Sequence, residues 1–214
     1  MELNRYIDHT LLKATAAEKD IEKLCIEAKR HHFYAICINS SYIPLAKSEL
    51  SYTDITIASV IGFPLGASTQ ATKEFEAQQC IDQGADEIDM VLNIGWLKSG
   101  NYKKVENEIK SIKRILGANI LKVIFENCYL TDQEKKIACK LSVNAGADFI
   151  KTSTGFGTGG ATLEDIKLMK DEVNNQVKIK ASGGIRDIET ATKYIDLGVS
   201  RIGTSSGVHI VTSI

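Results

Sequence analysis

Residues 146–160 read GADFIKTSTGFGTGG, a strand-like run that carries a lysine and leads into a glycine-rich turn. Phe149 and Ile150 favour a buried strand, and the glycines that follow allow the backbone to curl closely around a ligand. Lys151 therefore lies where a charge is costly unless it is paired or loses its proton, and a neutral amine is a nucleophile. The alternative is a lysine that extends from the strand end into water.

The spacing within this stretch recurs along the chain. A glycine or asparagine precedes a strand position by five residues at four places: Gly84–Asp89, Gly146–Lys151, Asn175–Lys180 and Gly198–Gly203. A helix that ends on such a residue, followed by a strand of fixed length, explains the repeat. The fifth position then lies near the carboxyl end of its strand, so we expect Asp89, Lys151 and Lys180 at one level and facing one mouth.

Short apolar runs alternate with helical periodicity throughout the 214 residues. Strands separated by helices need crossover connections and form a parallel sheet, and about eight such units predict an α/β fold, the (β/α)8 TIM barrel. With no linker and two prolines, the sequence predicts a single catalytic domain over residues 1–214. The predicted strands are Tyr6–Thr10, Phe33–Ile38, Ile55–Ile61, Glu87–Val91, Ile120–Phe125, Ala147–Lys151, Val177–Ala181 and Ser200–Gly203.

Three helix starts are indicated by a threonine followed three residues later by an acidic residue, the pattern of a capping box. These pairs are Thr15 with Glu18, Thr131 with Glu134 and Thr162 with Asp165.

Alternation along the strands predicts which side chains enter the barrel. The outer helices need an apolar face, so Ile88 and Met90 point outward and Asp89 points inward. The same reasoning directs these charged side chains inward: Asp8, Lys122, Glu126, Lys151 and Lys180. A barrel interior that served only for packing would be filled with Val, Ile and Leu side chains, so the charged side chains indicate a catalytic site.

Two lysines held close together in a low-dielectric interior repel as cations, which leaves one of them neutral and able to form a Schiff base with a carbonyl. A nearby carboxylate can then shuttle protons. The alternative for Asp89 and Lys180 is a buried salt bridge that only fixes the barrel. Lys122 and Glu126 are expected to form a structural or orienting pair.

Two further glycine-containing turns follow later strands, ASGGIR at residues 181–186 and GTSSG at residues 203–207. Loops after the last two strands of a barrel commonly bind phosphate. Backbone N–H groups and the hydroxyls of Ser205 and Ser206 can donate to phosphate oxygens.

Composition excludes several classes of function. The formal net charge is −1 and no polybasic run occurs, so neither a nucleic-acid partner nor an anionic membrane is expected. The first residues lack the basic-then-apolar order of a signal peptide. Five scattered cysteines without a CxxC pair argue against disulfides and a zinc site and favour the cytoplasm. Each cysteine is expected to be a small buried apolar side chain.

Five segments together resemble deoxyribose-phosphate aldolases: YIDHTLLK (6–13), EIDMV (87–91), ADFIKTSTG (147–155), KASGGIR (180–186) and RIGTSSG (201–207). The resemblance extends from the first strand to the last. It implies a class I aldolase on a TIM barrel, commonly a homodimer, with no metal or organic cofactor. Such enzymes reversibly cleave 2-deoxy-D-ribose 5-phosphate to glyceraldehyde 3-phosphate and acetaldehyde in deoxynucleoside breakdown.

The resemblance also implies a role for each matched residue. Lys151 is similar to the Schiff-base lysine, Lys180 to the neighbour that lowers its pKa, and Asp89 to the proton shuttle that acts with a water. Residues similar to those that contact the substrate or the network around it are Asp8, Gly155, Gly183, Gly184, Ser205 and Ser206.

Two positions depart from the pattern of some members. A lysine that follows the TSTG turn in those members is Phe156 here, so phosphate binding is expected to rely on backbone N–H groups and serines, with little weight on Arg186. Longer members finish on a tyrosine that assists proton transfer, and the given sequence ends on Ile214.

Two other functions remain open from sequence. A Schiff-base aldolase or transaldolase for another phosphorylated sugar would share the barrel and the mechanism. A catalytically silent sugar-phosphate binder would keep the turns without forming a covalent intermediate.

Overall fold

The computed structural model describes residues 2–213, so Met1 and Ile214, the ends of the predicted domain, lie outside the described residues. Within that range eight parallel strands close into a barrel in chain order, and the first strand pairs with the last through Ile7 opposite Ile202. The predicted (β/α)8 barrel is confirmed. The single domain over 1–214 stays a prediction.

Strands and helices alternate along the described residues. The strands are β1 (Ile7–Leu11), β2 (Ala35–Ile38), β3 (Thr56–Ile61), β4 (Glu87–Val91), β5 (Ile120–Ile124), β6 (Phe149–Lys151), β7 (Lys178–Ser182) and β8 (Arg201–Thr204). The helices are α1 (Glu18–His31), α2 (Ile43–Glu49), α3 (Gln70–Asp82), α4 (Ile94–Lys98), α5 (Tyr102–Leu116), α6 (Asp132–Asn144), α7 (Leu163–Val173), α8 (Ile188–Asp196) and α9 (Gly207–Thr212). Short 3-10 helices occur at Leu3–Tyr6, Ser40–Tyr42 and Asn127–Tyr129.

Strand β6 is two residues shorter than its apolar run predicts. Ala147 N–H donates to the Ser142 carbonyl and so completes the end of α6. The Asp148 carboxylate accepts from the backbone of Leu121 at 2.8 Å and from Lys113 at 2.6 Å. These two residues therefore join the helix to the sheet edge before ladder pairing begins at Phe149.

The predicted helix starts have three different outcomes. Thr131 and Glu134 form the capping box, with Glu134 accepting from Thr131 N–H at 2.7 Å. Thr162 caps α7 by accepting from Asp165 N–H, but the Asp165 carboxylate contacts Lys135 at 2.6 Å instead of reaching back. The capping role of Thr15 is wrong. Helix α1 begins at Glu18, and its N-cap residue is Ala17, two residues after Thr15; Ala17 N–H donates to the Asp20 carboxylate at 2.9 Å.

The predicted alternation of the strands is confirmed. Ile88, Met90, Leu121 and Val123 belong to the large apolar core between barrel and helices, and each is fully buried. Charged side chains occupy the inward positions between them. The register places Asp89 beside Lys122 and Lys151 beside Lys180. Asp89 is therefore not a ladder partner of Lys151 or Lys180. Its side chain nevertheless reaches the level of both lysines in the barrel.

The cysteines largely follow the expectation of buried apolar side chains. All five are free thiols, and Cys25, Cys37, Cys80 and Cys139 are buried. Cys128 is exposed, because it lies in the short 3-10 helix after β5 instead of in a strand or on a helix face toward the core. In residues 2–213 no helix is both long and apolar enough to cross a membrane.

The difference between Thr131 and Thr15 gives a matched test of the helix starts. We expect Thr131→Ala to lower the free energy of unfolding by about 1 kcal/mol, because the first turn of α6 loses its cap. Thr15→Ala should change it by less than about 0.5 kcal/mol, because Thr15 is exposed and caps no helix. Urea denaturation of both variants measures the difference. An equal loss in the two variants would contradict the assigned helix start.

Candidate active site

Six buried ionisable side chains form a closed ring of ion pairs inside the barrel, here called the charge ring. Going around it, Asp89 contacts Lys180 at 2.9 Å, Lys180 contacts Asp8 at 2.5 Å, and Asp8 contacts Arg201 at 2.8 Å. Arg201 contacts Glu87 at 3.2 Å, Glu87 contacts Lys122 at 2.5 Å, and Lys122 returns to Asp89 at 2.7 Å. Three carboxylates thus alternate with three cations, and the charge ring is neutral.

Lys151 is attached to the charge ring as a further basic side chain. Its Nζ contacts Asp89 Oδ2 at 2.7 Å, the same oxygen that Lys180 Nζ contacts at 2.9 Å. The two amines are therefore separated by no more than the sum of these distances. The structure brings Lys151, Lys180, Asp89 and Asp8 together as the sequence predicts.

Burial and ion pairing have opposite effects on the pKa values in the charge ring, and the effect of ion pairing is the larger. Burial alone would raise the pKa of Asp89, but Lys122, Lys151 and Lys180 hold it well below its usual range. Burial disfavours the Lys180 cation, yet Asp8 and Asp89 outweigh this and raise the pKa of Lys180. Asp8 is also ionised, because Lys180 and Arg201 lower its pKa against the effect of burial. Lys180 is therefore held as a cation.

The predicted pair of Lys122 and Glu126 is wrong. Lys122 is paired within the charge ring, whereas the Glu126 carboxylate accepts from Thr154 N–H at 3.1 Å and from the Thr154 hydroxyl. Glu126 lies beyond the end of β5 with a φ of 55°, and this left-handed backbone ends the strand alternation. Its role is to hold the turn that follows Lys151.

Above the charge ring, the carboxyl ends of the strands surround a cavity of about 330 Å³. Lys151 is the one cation of the central cluster that lines it among the described residues. The cavity is bounded by Thr10, Leu11, Leu12, Lys13, Lys151, Thr154, Gly155, Phe156, Ser182, Gly183, Gly184, Ile185, Arg186, Gly203, Thr204 and Ser205. The amine therefore has access to a ligand, and its charged neighbours lie beneath it.

Glycine is required where two of the turns meet. Gly183 and Gly184 have φ values of 86° and 81°, in the left-handed region that other residues rarely adopt. A Cβ on Gly160 would lie 2.2 Å from the Gly183 carbonyl oxygen, which is a severe overlap. The close approach of these two turns shapes one wall of the cavity.

The expected phosphate-contact residues are mostly at the cavity. Gly155, Gly183, Gly184 and Ser205 line it, whereas Ser206 does not; its N–H donates to the Thr204 hydroxyl at 2.9 Å. Asp8 lies below, in the charge ring.

Sequence reasoning missed Lys13 and gave little weight to Arg186, and both exposed cations line the cavity. Strand alternation could not identify them, because each lies in a loop beyond a strand end.

An apolar wall completes the inner side of the barrel mouth. Leu12, Cys37, Ala58 and Val60 pack together there, with Phe63 against them. Phe63 also packs edge-on against Phe156, with ring centroids 5.4 Å apart. Phe156, 53% exposed, thus extends apolar surface to the cavity rim.

Within residues 2–213 no cluster of three or more His, Cys, Asp or Glu side chains is placed to hold a metal ion. The arrangement supports chemistry at the Lys151 amine, which lines the cavity above carboxylates that are paired with cations.

Comparison with known proteins agrees with this geometry. The family described as DeoC/LacD family aldolase matches residues 4–211. A deoxyribose-phosphate aldolase from Coprothermobacter proteolyticus is 53% identical over 99% of this chain and 96% of its own length. One from Brevibacillus brevis is 54% identical with the same coverage.

A solved structure has the same architecture. A deoxyribose phosphate aldolase from Aeropyrum pernix, described as having a unique tetrameric structure, is 32% identical to this chain. It superimposes with a TM-score of 0.92 and covers 99% of this chain and 90% of its own length. Given the family match over nearly the whole chain and relatives above 50% identity, the chain belongs to the DeoC/LacD family of aldolases.

Proposed function

We propose that this aldolase reversibly cleaves 2-deoxy-D-ribose 5-phosphate to D-glyceraldehyde 3-phosphate and acetaldehyde through a Schiff base on Lys151. The observation that carries the residue assignment is the charge balance beneath the cavity. The charge ring is neutral without Lys151, so a protonated Lys151 would be a surplus buried cation. The uncharged amine restores neutrality and is the form that attacks a carbonyl.

Covalent bond formation begins at C1 of the open-chain sugar. The Lys151 amine adds to the aldehyde carbon to give a carbinolamine, which takes up a proton at its hydroxyl and loses water to form the protonated imine. Asp89 Oδ2 contacts both amines and is the acceptor through which this proton can pass from Lys180. Lys180 begins the step as a cation, which disfavours protonation of the free Lys151 amine beside it.

Cleavage then breaks the C2–C3 bond. The C3 hydroxyl gives its proton to Asp89 through a water, the C2–C3 electron pair moves into the enamine, and glyceraldehyde 3-phosphate leaves. A proton returned to C2 converts the enamine to the protonated imine of acetaldehyde. Water hydrolyses this imine, which releases acetaldehyde, restores the neutral Lys151 amine and returns the proton to Lys180 through Asp89.

The substrate phosphate is assigned to the far side of the cavity. Gly183, Gly184 and Ser205 present backbone N–H groups and a hydroxyl there, and the cations of Lys13 and Arg186 line the same space. This arrangement supports a phosphorylated aldehyde as substrate and places its charge at the end opposite the reacting carbon.

We further propose that residues 1–214 act as one catalytic domain in the cytoplasm and assemble as a homodimer. Free thiols at all five cysteines support a reducing compartment. The relative from Aeropyrum pernix is described as a tetramer. Light scattering of the purified chain distinguishes a dimer from a tetramer.

Reduction with borohydride in the presence of acetaldehyde tests the nucleophile. We expect peptide mass mapping to find N-ethyl-lysine at Lys151, because the trapped imine forms there. Lys151→Arg should give no adduct in the barrel, and Lys178→Arg, which changes an exposed lysine on the strand of Lys180, should label normally. Adduct on Lys180 in the wild type would overturn the assignment, and the absence of any adduct would favour a silent sugar-phosphate binder.

Two substitutions in the charge ring should shift the pH dependence of kcat/KM in opposite directions. Lys180→Leu leaves the charge ring with one surplus negative charge, which favours protonated Lys151 and moves the rising limb to higher pH. Asp8→Asn leaves a surplus positive charge and moves that limb to lower pH. We also expect Lys180→Leu to reduce kcat by at least about 100-fold at neutral pH, because general acid–base catalysis is lost.

Circular dichroism and thermal unfolding of both variants show whether the barrel is retained. Lys178→Leu is the control for loss of a lysine on the same strand, and its pH profile should match the wild type. Near-normal turnover of Lys180→Leu at neutral pH, or shifts of the same sign in the two variants, would refute the charge-balance argument.

A further inference from the structure

His9 faces away from the barrel interior, behind the turn that we assign to phosphate. Its neighbour Asp8 points inward into the charge ring, so alternation directs His9 outward, and its side chain is 3% exposed. In the β1–β8 ladder His9 lies opposite Thr204. Thr204 and Ser205 line the cavity, and His9 and Ser205 share the lining of a second, adjoining cavity.

The His9 ring packs against Gly207, the first residue of α9. A Cβ added to Gly207 would lie 2.9 Å from His9 Nδ1 and 3.2 Å from Phe33, so only glycine lets α9 approach the ring so closely. Phe33 also packs against the imidazole, with ring centroids 5.0 Å apart. The two rings therefore pack together behind the segment formed by Thr204, Ser205, Ser206 and Gly207, here called the 204–207 turn.

Glu27 of α1 fixes the orientation of the imidazole. His9 Nε2 and Glu27 Oε2 are 2.8 Å apart. Burial lowers the pKa of His9 although Glu27 and the backbone of Thr204 both raise it, so the ring is neutral and Nε2–H donates to the carboxylate. Nδ1 then keeps its lone pair and is directed at the 204–207 turn.

That nitrogen is buried and has no hydrogen-bond partner within residues 2–213. An unsatisfied buried nitrogen costs free energy, and the backbone of the turn that acts on the imidazole is that of Thr204. The catalytic chemistry proposed above uses neither His9 nor Glu27, so it does not explain why a buried imidazole is aimed at this turn.

We propose that His9, oriented by Glu27, is a positioning residue that holds the 204–207 turn in the conformation that binds the substrate's phosphate group. This inference rests on the proposed function. His9 contacts the turn from the side opposite the cavity and touches no reacting atom, so its contribution is confined to substrates that carry the phosphate.

Comparison of 2-deoxyribose 5-phosphate with unphosphorylated 2-deoxyribose isolates this contribution. We expect His9→Leu to lower kcat/KM for the phosphorylated sugar about tenfold more than for the unphosphorylated sugar, mainly through KM. Inorganic phosphate, used as a competitive inhibitor of 2-deoxyribose cleavage, should bind the variant more weakly by a similar factor. A merely structural role would reduce both substrates equally, and that result would overturn the proposal.

Glu27→Gln provides a second variant that keeps the imidazole and its packing. It should show the same selective loss, smaller in size, because the amide holds the ring less firmly than the carboxylate. Glu22→Gln is the control, because Glu22 lies on the same helix and is exposed. An unchanged substrate ratio in both His9→Leu and Glu27→Gln would refute the proposal even if one variant folds poorly.

The wild type separates this inference from the proposed function. Cleavage of 2-deoxyribose 5-phosphate by the wild type, with an unchanged preference in the variants, would reject only the role of His9. Failure of the wild type to cleave the phosphorylated sugar would reject the proposed function itself.

Discussion

Seven ionisable groups buried in the barrel interior constrain the rest of the molecule. A single buried charge without a partner is strongly unfavourable, and the loss of one member of a buried pair costs about 3–5 kcal/mol. Here every carboxylate of the charge ring contacts at least two cations, so the removal of any member leaves two neighbours deficient. The barrel interior is therefore one electrostatic unit, and its geometry is shared by stability and chemistry.

The outer packing makes this interior possible. Apolar side chains at alternate strand positions are buried against the helices, which supplies the hydrophobic free energy that offsets the desolvation of the charges. The register of the parallel strands then determines which charged side chains are neighbours. Lys151 lies opposite Lys180 in the β6–β7 ladder, and Asp89 lies opposite Lys122 in the β4–β5 ladder. One-residue slips would exchange the polar and apolar faces, so the catalytic arrangement and the core depend on the same register.

What could be predicted from sequence follows from this dependence. The inward positions of Asp89, Lys151 and Lys180 are predictable because they need only local alternation and the five-residue spacing from a helix end, and that of Asp8 because it lies on the short opening strand. Glu126 was misassigned to a pair with Lys122, because a left-handed residue after β5 interrupts the alternation and no local pattern reveals it. The predicted cap at Thr15 failed for a similar reason, since Asp20 supplies the hydrogen bond from a position inside the helix.

Other features depend on contacts between strands far apart in the chain. Arg201 bridges Asp8 and Glu87, which lie on β1 and β4, and this contact exists only after the barrel closes. Lys13 and Arg186 reach the cavity from loops whose course is set by tertiary packing. Sequence periodicity therefore predicted the inward lysines and Asp89 but neither the arginine at the floor of the charge ring nor the two loop cations that line the cavity.

The cation at the floor of the charge ring is an arginine, Arg201, which keeps its charge. An arginine does not lose its proton in proteins, and Asp8 and Glu87 raise the pKa of Arg201 further against the effect of burial. Its guanidinium also stacks over Tyr34, 3.2 Å from the ring centroid. Carboxylate partners likewise raise the pKa values of Lys122 and Lys180. Three of the four central basic side chains are thereby held in the charged form, and the remaining one, Lys151, pairs with Asp89 alone in the part of the chain that the structure describes and opens onto the cavity. Because the charge ring is neutral and fully paired without Lys151, it forms a fixed floor beneath the amine that a ligand in the cavity can reach.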